Sequence, residues 1–183
     1  YGVMWKEAVK DGLRLKRPVL GADNEYRISK YLLNIGISCA EPVAVGVSGP
    51  LWRRRSFLVT EALPETLTLN QIATAWRDSP PDVLLKRVYI EKVACIVRQM
   101  HSAGINHRDL YINHLRVPVK FITDKDAPIY LMDLHRAQKN RAVSRRWLIK
   151  DLGSLLYSCL DKPFSRTDWI RSVSYTHLRA HET

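Results

Sequence analysis

The sequence predicts an α+β fold, and three observations carry that expectation. Apolar residues recur at helical spacing after Asp23, from Pro81 to Ala103, and from about Arg145 to Leu160. Between the first two of these lie β-rich runs, Pro42–Val47 and Ser56–Glu61, joined through a Gly49-Pro50 turn signal that makes them a hairpin. After the long helix come two short strand-like pieces, His114–Val117 and Ile129–Met132, around a polar loop.

Each element has a local reason. Val3 to Arg17 reads as an amphipathic helix that ends at Pro18, because proline removes a backbone donor and restricts the residue before it. A second helix starts near Asp23, carries Tyr26, Leu32, Leu33 and Ile35 on its apolar side, and stops at Gly36. Thr68-x-x-Gln71 has the spacing of a capping box and opens a short helix to Arg77. The long helix has Ser79 as its expected cap, prolines 80 and 81 at its start, and Gly104 just past its end. Its expected buried face is Val83, Leu84, Val88, Val93, Ile96, Val97 and Met100. In the last helix Leu152, Leu155 and Leu156 are expected inside. Residues 173–183 show no helical or strand period, and their wording resembles adapter-derived read-through. They are expected to be a non-native tail outside the fold, and His177 and His181 are set aside with them.

Composition narrows the function. A chain of 183 residues, 46% hydrophobic, has apolar material for one globular domain. Lys and Arg number 29 against 18 Asp and Glu, a net charge of +11, which favours an anionic partner such as a nucleotide, nucleic acid, anionic lipid or phosphorylated sugar. Cys39, Cys95 and Cys159 form no C-x-x-C pair, as expected of a reducing, cytoplasmic compartment. No apolar run approaches the ~18 residues of a membrane span.

The chemistry is concentrated after the long helix, in His107-Arg108-Asp109 and then Ile129-Tyr-Leu-Met-Asp133-Leu-His135. One carboxylate on a loop after a helix and a second at the end of a short apolar strand is the pairing that phosphoryl transfer uses. The first accepts the proton of the attacking hydroxyl, and the second holds Mg²⁺ against nucleotide phosphates. A bare His-Arg-Asp is a weak signal; its weight comes from the helix before it and the aspartate after it.

Five stretches together resemble the lipopolysaccharide core heptose(I) kinase family: Pro18-Val-Leu-Gly-Ala-Asp-Asn-Glu25, Pro80-Pro-Asp-Val83, Met100-His-Ser-Ala-Gly-Ile-Asn-His-Arg-Asp109, Asp133-Leu-His-Arg-Ala-Gln138 and Arg145-Arg-Trp147. The resemblance spans roughly residues 5–170. It implies a protein-kinase-like bilobal fold, with a truncated N-lobe over 1–61 and an incomplete C-lobe over 67–172. It also implies ATP and Mg²⁺ as cofactors and phosphorylation of the first heptose of the lipopolysaccharide inner core at the cytoplasmic face of the inner membrane. Acyl carrier protein is a further partner that the family suggests. By motif position Asp109 is the expected catalytic base, Asp133 the magnesium ligand, and Glu25 the helical glutamate that pairs with a nucleotide-binding lysine. Asp151 resembles the aspartate that braces the catalytic loop; the plain alternative is a carboxylate at a helix start.

Two departures qualify the resemblance. His114 stands where protein kinases carry an asparagine for a second Mg²⁺, and imidazole is a poor partner for a cation that prefers oxygen. His114 is therefore assigned either to a nucleotide phosphate or to ordinary hydrogen-bonded packing. In addition, no glycine-rich loop or strand lysine precedes Glu25. The 183-residue chain alone is accordingly expected to turn over little or not at all.

The basic run Arg136, Lys139, Arg141, Arg145, Arg146 and Lys150 contains no acid. It suits an acceptor that neighbours carboxylated and phosphorylated sugars, with Arg136, Arg145 and Arg146 as substrate contacts. Trp147 either stacks on a sugar or packs under its helix, and Arg53-Arg54-Arg55 is either a solvated face or a site for anionic lipid. The rival readings are a kinase for another core sugar, Kdo or a small molecule, a degenerate kinase scaffold, and a non-catalytic basic module for membranes or nucleic acid. Nucleic acid is disfavoured because Trp147 is the sole aromatic residue within the basic run.

Overall fold

The computed structural model describes residues 21–50 and 55–177. The expected helix from Val3 to Arg17, and all of the basic turn except Arg55, lie outside these residues. Helix α1 (Ala22–Asn34) buries Ala22, Ile28, Ser29 and Leu32, with Leu33 and Ile35 packed at the core's edge. Ile28 takes the inward place that the sequence pattern assigned to Tyr26, which stays half-buried. The helix ends at Gly36, where φ is +82°.

Strands β1 (Pro42–Ser48) and β2 (Arg55–Thr60) form the expected antiparallel hairpin, with Val45 opposite Leu58. The hairpin is tied to the start of α1 by the Ala22 N–H, which donates to Ser56 Oγ at 3.0 Å. Further on, β3 (Thr66–Thr68), β5 (Leu115–Pro118) and β6 (Tyr130–Leu131) make an antiparallel sheet in the order β3-β5-β6. β4 (Ile105–Asn106) pairs with β7 (Gln138–Lys139). These short pairings carry the two loops on which the chemistry depends.

Helix α2 (Leu69–Ala75) opens on a complete capping box. Thr68 Oγ1 accepts from the Gln71 N–H at 3.1 Å, and Gln71 Oε1 accepts from the Thr68 N–H at 2.8 Å. The cap of helix α3 (Val83–Ser102) is Asp82, not Ser79. The Ser79 N–H instead donates to the Ala75 carbonyl at 3.0 Å and closes the preceding turn, which leaves both prolines ahead of the helix. The buried face of α3 is Tyr89, Ile90, Ala94, Val97, Met100 and His101, while Val83 and Leu84 are 63% and 48% exposed. Periodicity placed the stripe correctly in the second half of the helix. In the first turn Val83 and Leu84 face solvent, and it is Leu85 that packs against the core.

Helix α4 (Arg145–Tyr157) buries Asp151 and Leu155; Leu156, expected inside, is 42% exposed. Helix α5 (Arg166–His177) was not anticipated. It is started by a second reciprocal cap: the Ser165 N–H donates to Asp168 Oδ2 at 2.8 Å and the Asp168 N–H to Ser165 Oγ at 3.2 Å. Asp168 also pairs with Lys86 of α3 at 2.8 Å. Burial alone raises the Asp168 carboxyl, but the hydrogen bonds from Lys86 and Ser165 hold it below its ordinary range. The helix runs into the segment expected to lie outside the fold, because propagation from a capped and seated first turn costs little.

One core joins these elements, with Leu32, Ile37, Met100, Ile105, Leu115 and Leu131 among its fully enclosed side chains. Gly104 is the tightest joint. Its φ is +78°, and a Cβ there would lie 2.1 Å from the Asn140 carbonyl oxygen. Gly104→Ala is expected to cost roughly 2–3 kcal/mol, from left-handed strain plus displacement of backbone at the β4–β7 joint. A denaturant-unfolding midpoint measures it.

Candidate active site

The loop after β4 is held from below by one buried carboxylate. Asp151 Oδ2 accepts the His107 N–H at 2.8 Å, Asp151 Oδ1 accepts the Arg108 N–H at 2.8 Å, and His101 Nε2 lies 3.1 Å from Oδ2. Asp151 is fully buried, so these partners are the only compensation for its lost hydration that the described residues supply. They also fix Arg108 in a left-handed conformation, φ +76°. His107 is enclosed too: burial pushes its imidazole below the ordinary histidine range, and Nε2–H donates to the Met132 carbonyl at 3.0 Å. That bond couples the loop carrying Asp109 to the loop carrying Asp133.

Asp109 faces two cations. Arg136 Nη1 is 2.9 Å from Oδ2 and Lys150 Nζ is 4.0 Å from Oδ1, while Lys150 also donates to the Arg108 carbonyl at 2.6 Å. Trp147 lies beneath this group: its ring sits 4.6 Å from the Arg108 guanidinium, 5.7 Å from that of Arg146 and 5.3 Å from Lys150 Nζ. It serves as a platform for cations. Arg145 and Arg146 are exposed at the start of α4, so of the three arginines assigned to substrate only Arg136 touches a catalytic candidate.

Asp133 adopts φ +62°, ψ +53°, a conformation that aspartate tolerates better than most residues and that turns the chain sharply after β6. Its Oδ1 contacts His135 Nδ1, and its Oδ2 lies 3.4 Å from His114 Nε2. His114 Nδ1 is 2.8 Å from the Asp109 carbonyl, and its ring stacks on His107 at 5.8 Å. A single imidazole thus spans from the backbone of Asp109 to the side chain of Asp133. Helix α1 closes the far side, where the Asn24 side-chain amide donates to the Ala137 carbonyl at 2.8 Å.

Glu25 lies on that helix beside Asp133 and His135. Burial pushes its carboxyl above the ordinary glutamate range; His135 and the Leu134 amide offset part of the rise, and Asp133 adds to it. Its Oε2 is buried without a hydrogen-bond partner among the described residues. A raised carboxyl means that the folded state favours the protonated form. That contribution is complete below the unfolded value of about 4.3 and disappears as pH rises through the folded one. Glu25→Gln is therefore expected to raise the unfolding midpoint at pH 7 and to change it little near pH 4; thermal melts at both pH values measure this.

All five acid and imidazole candidates — Glu25, Asp109, His114, Asp133 and Asp151 — belong to one connected group. Lys150 and His101 join it without having been singled out for it. His101 lies one helical turn before the loop and is buried, a position that the sequence pattern left among the polar residues at a helix end. An apolar cavity lined by Leu69, Trp76, Tyr89, Phe164 and Trp169 lies elsewhere, between α2, α3 and α5, and holds none of these groups.

This arrangement, an aspartate on a loop braced from a later helix and a second aspartate facing a helical glutamate, is accompanied by a match along the chain. Residues 1–175 match the lipopolysaccharide kinase (Kdo/WaaP) family. The chain belongs to that family. It is 41% identical over 170 residues to the lipopolysaccharide core heptose(I) kinase WaaP of Escherichia coli K12, covering 91% of this chain and 64% of that protein. The Pseudomonas aeruginosa WaaP is 41% identical over 173 residues, with coverage of 93% and 64%. A 3-deoxy-D-manno-octulosonic acid kinase of Vibrio parahaemolyticus is 25% identical over 134 residues, covering 73% of this chain and 50% of its own length. Among solved structures, WaaP in complex with acyl carrier protein superposes with a TM-score of 0.78 at 38% identity, covering 86% of this chain and 66% of that one. The Kdo/WaaP member described here thus spans about two thirds of its heptose kinase relatives, and its mixed helix and strand fold is theirs.

Proposed function

We propose that this chain is the catalytic part of an ATP-dependent kinase that phosphorylates the first heptose of the lipopolysaccharide inner core. The observation that carries the reading is the His114 bridge, which holds the Asp109 and Asp133 loops together above the Asp151 brace. Asp109 would accept the proton of the acceptor hydroxyl as its oxygen bonds to the γ-phosphorus of ATP and the bond from that phosphorus to the β–γ bridging oxygen breaks, with ADP as the leaving group. Arg136 and Lys150 hold its carboxylate in place and neutralise charge gathering beside it. Asp133 supplies the hard oxygen that Mg²⁺ requires, and Glu25 Oε2, buried and unpaired among the described residues, suits an ammonium partner. When bound, Mg²⁺-ATP supplies the phosphoryl group and the electrophilic activation. Arg145 and Arg146 lie exposed beyond Arg136 and suit the carboxylates and phosphates that surround an inner-core heptose.

The partners follow from the same reading. The acceptor is lipid-linked, so the enzyme works as a peripheral protein at the cytoplasmic face of the inner membrane; no helix among the described residues is long and apolar enough to cross it. Acyl carrier protein, the partner in the solved WaaP complex, is the protein partner proposed here. Nucleic acid is not a partner. The test uses the chain extended to its relatives' full length, with γ-labelled ATP, Mg²⁺ and lipopolysaccharide truncated to a heptose-only core. Label on heptose is the expected result, whereas label entering a Kdo-only acceptor in its place would overturn the heptose assignment.

A further inference from the structure

We propose that Arg108, Arg146 and Lys150, gathered on the Trp147 ring, form a carboxylate subsite that holds an acidic sugar residue beside the hydroxyl being phosphorylated. The inference rests on the kinase reading and deepens it. It states what the acceptor carries besides that hydroxyl, and it names the residues that read it.

The first support is charge. The guanidinium groups of Arg108 and Arg146 and the ammonium of Lys150 lie 4.6, 5.7 and 5.3 Å from the centre of one indole ring. Among the described residues Lys150 has Asp109 as its carboxylate partner, but at 4.0 Å, beyond hydrogen-bond distance. That carboxylate is already held more closely by Arg136, at 2.9 Å. Arg146 rests against the ring and pairs with no carboxylate among the described residues. The first turn of α4 has no acidic residue either, so the positive end of the helix adds to the excess instead of being offset. Cations crowded this way repel one another, and a bound anion removes that cost.

The second support is that the cations are fixed in advance and can be reached. Lys150 Nζ donates to the Arg108 carbonyl at 2.6 Å, and the Arg108 N–H donates to Asp151 at 2.8 Å, with Arg108 held at φ +76°. Little ordering is then left to be done when a ligand arrives. Arg146 and Lys150 are exposed, and Trp147 is half-buried. A guanidinium laid on an indole offers the ring its flat face and keeps its N–H edge for a planar acceptor such as a carboxylate. Arg145 is exposed and is not assigned to the subsite.

The ligand class follows from where the subsite lies. Lys150 is shared with Asp109, so an anion on Lys150 belongs to the residue next to the one whose hydroxyl Asp109 deprotonates. The γ-phosphate arrives at the same place. Repulsion grows with charge, so a dianionic phosphate monoester would oppose both groups more strongly than a singly charged carboxylate does. A sugar acid also brings C–H groups to the edge of Trp147, which a free inorganic anion lacks.

The test follows the Trp147 indole N–H cross-peak of the ¹⁵N-labelled 183-residue chain, assigned by its loss in Trp147→Phe. The methyl glycoside of Kdo is titrated at constant ionic strength, beside its carboxyl-reduced form, inorganic phosphate and acetate. The glycoside is expected to shift that peak saturably, and the reduced form is expected not to. Arg146→Gln and Lys150→Gln should each raise the Kd roughly tenfold, the lower end of what a charged hydrogen bond contributes, with the other indole peaks in place to show an intact fold. Four results would overturn the subsite: no saturable shift, an equal response to acetate, tighter binding of phosphate than of the glycoside, or unchanged affinity in both variants. The labelled-ATP assay on the extended chain is independent of this. Labelled heptose with a silent Trp147 would remove the subsite and leave the kinase reading, whereas a Trp147 response to the glycoside with no transfer of label would support the subsite and remove the kinase reading.

Discussion

Asp109→Asn is expected to lower phosphoryl transfer by roughly 10²–10⁴-fold, the range that a positioned general base contributes. The amide keeps the size of the carboxylate and still accepts from Arg136, which now lies 2.9 Å from Oδ2, but it cannot take the acceptor proton. The Asp109 side chain is half-buried and pairs with Arg136 and Lys150 at the mouth of the site, and an amide of the same size keeps its place, so the unfolding midpoint should stay close to that of the parent. Nucleotide affinity should also hold, because the groups assigned to the metal and phosphates are on Asp133 and α1. Labelled ATP with a heptose-only acceptor, read beside a thermal melt, separates the two effects. A variant that unfolds at lower temperature, or one that retains near-parental transfer, would remove Asp109 from the role of base.

Asp151→Ala has the largest expected effect on stability. It leaves the His107 and Arg108 N–H groups and the His101 imidazole without an acceptor at a fully buried position. Each orphaned buried polar group costs about 1–3 kcal/mol, so a total near 4 kcal/mol is expected before relaxation or water entry. A domain stabilised by about 5–15 kcal/mol tolerates that poorly. The loop carrying Asp109 also loses what holds Arg108 in its left-handed conformation, so activity should fall even in the fraction that folds. Asp151→Asn, which retains an oxygen acceptor, should recover part of both losses. Denaturant unfolding of the two variants measures the difference, and equal midpoints for Asp151→Ala and the parent would refute the brace.

How much of this was legible in the chain varies with how local each cause is. The Thr68–Gln71 box, the hairpin and the second half of α3 were read correctly because their signals lie within a few residues. Ser79 misled because the same residue type that caps a helix also closes the turn before one, and the choice was made by the Ala75 carbonyl. The start of α3 and Leu156 failed for another reason: periodicity identifies a face but does not say whether anything packs against it. Helix α5 was hidden because its cap, Ser165-x-x-Asp168, is seated by Lys86, far back in the sequence on α3. At the site, motif spacing singled out Asp109 and Asp133 and the family resemblance pointed to Asp151, whereas the contacts that Lys150 and Trp147 make, and the burial of His101 against Asp151, are encoded by no spacing.

By itself the sequence determined the kinds of groups present and their order: a helical glutamate, an aspartate after a long helix, a second aspartate after an apolar strand, and a basic run with one tryptophan. Those follow from side-chain chemistry and short-range backbone preference, which a linear chain states directly. Only the tertiary structure decided that Asp151 reaches back to the His107 and Arg108 amides, that Arg136 and Lys150 share Asp109, and that the His114 ring lies between the Asp109 carbonyl and the Asp133 carboxylate. Each of these depends on where distant backbone segments cross, and that is set by burying the common core of α1, α3 and the short sheets.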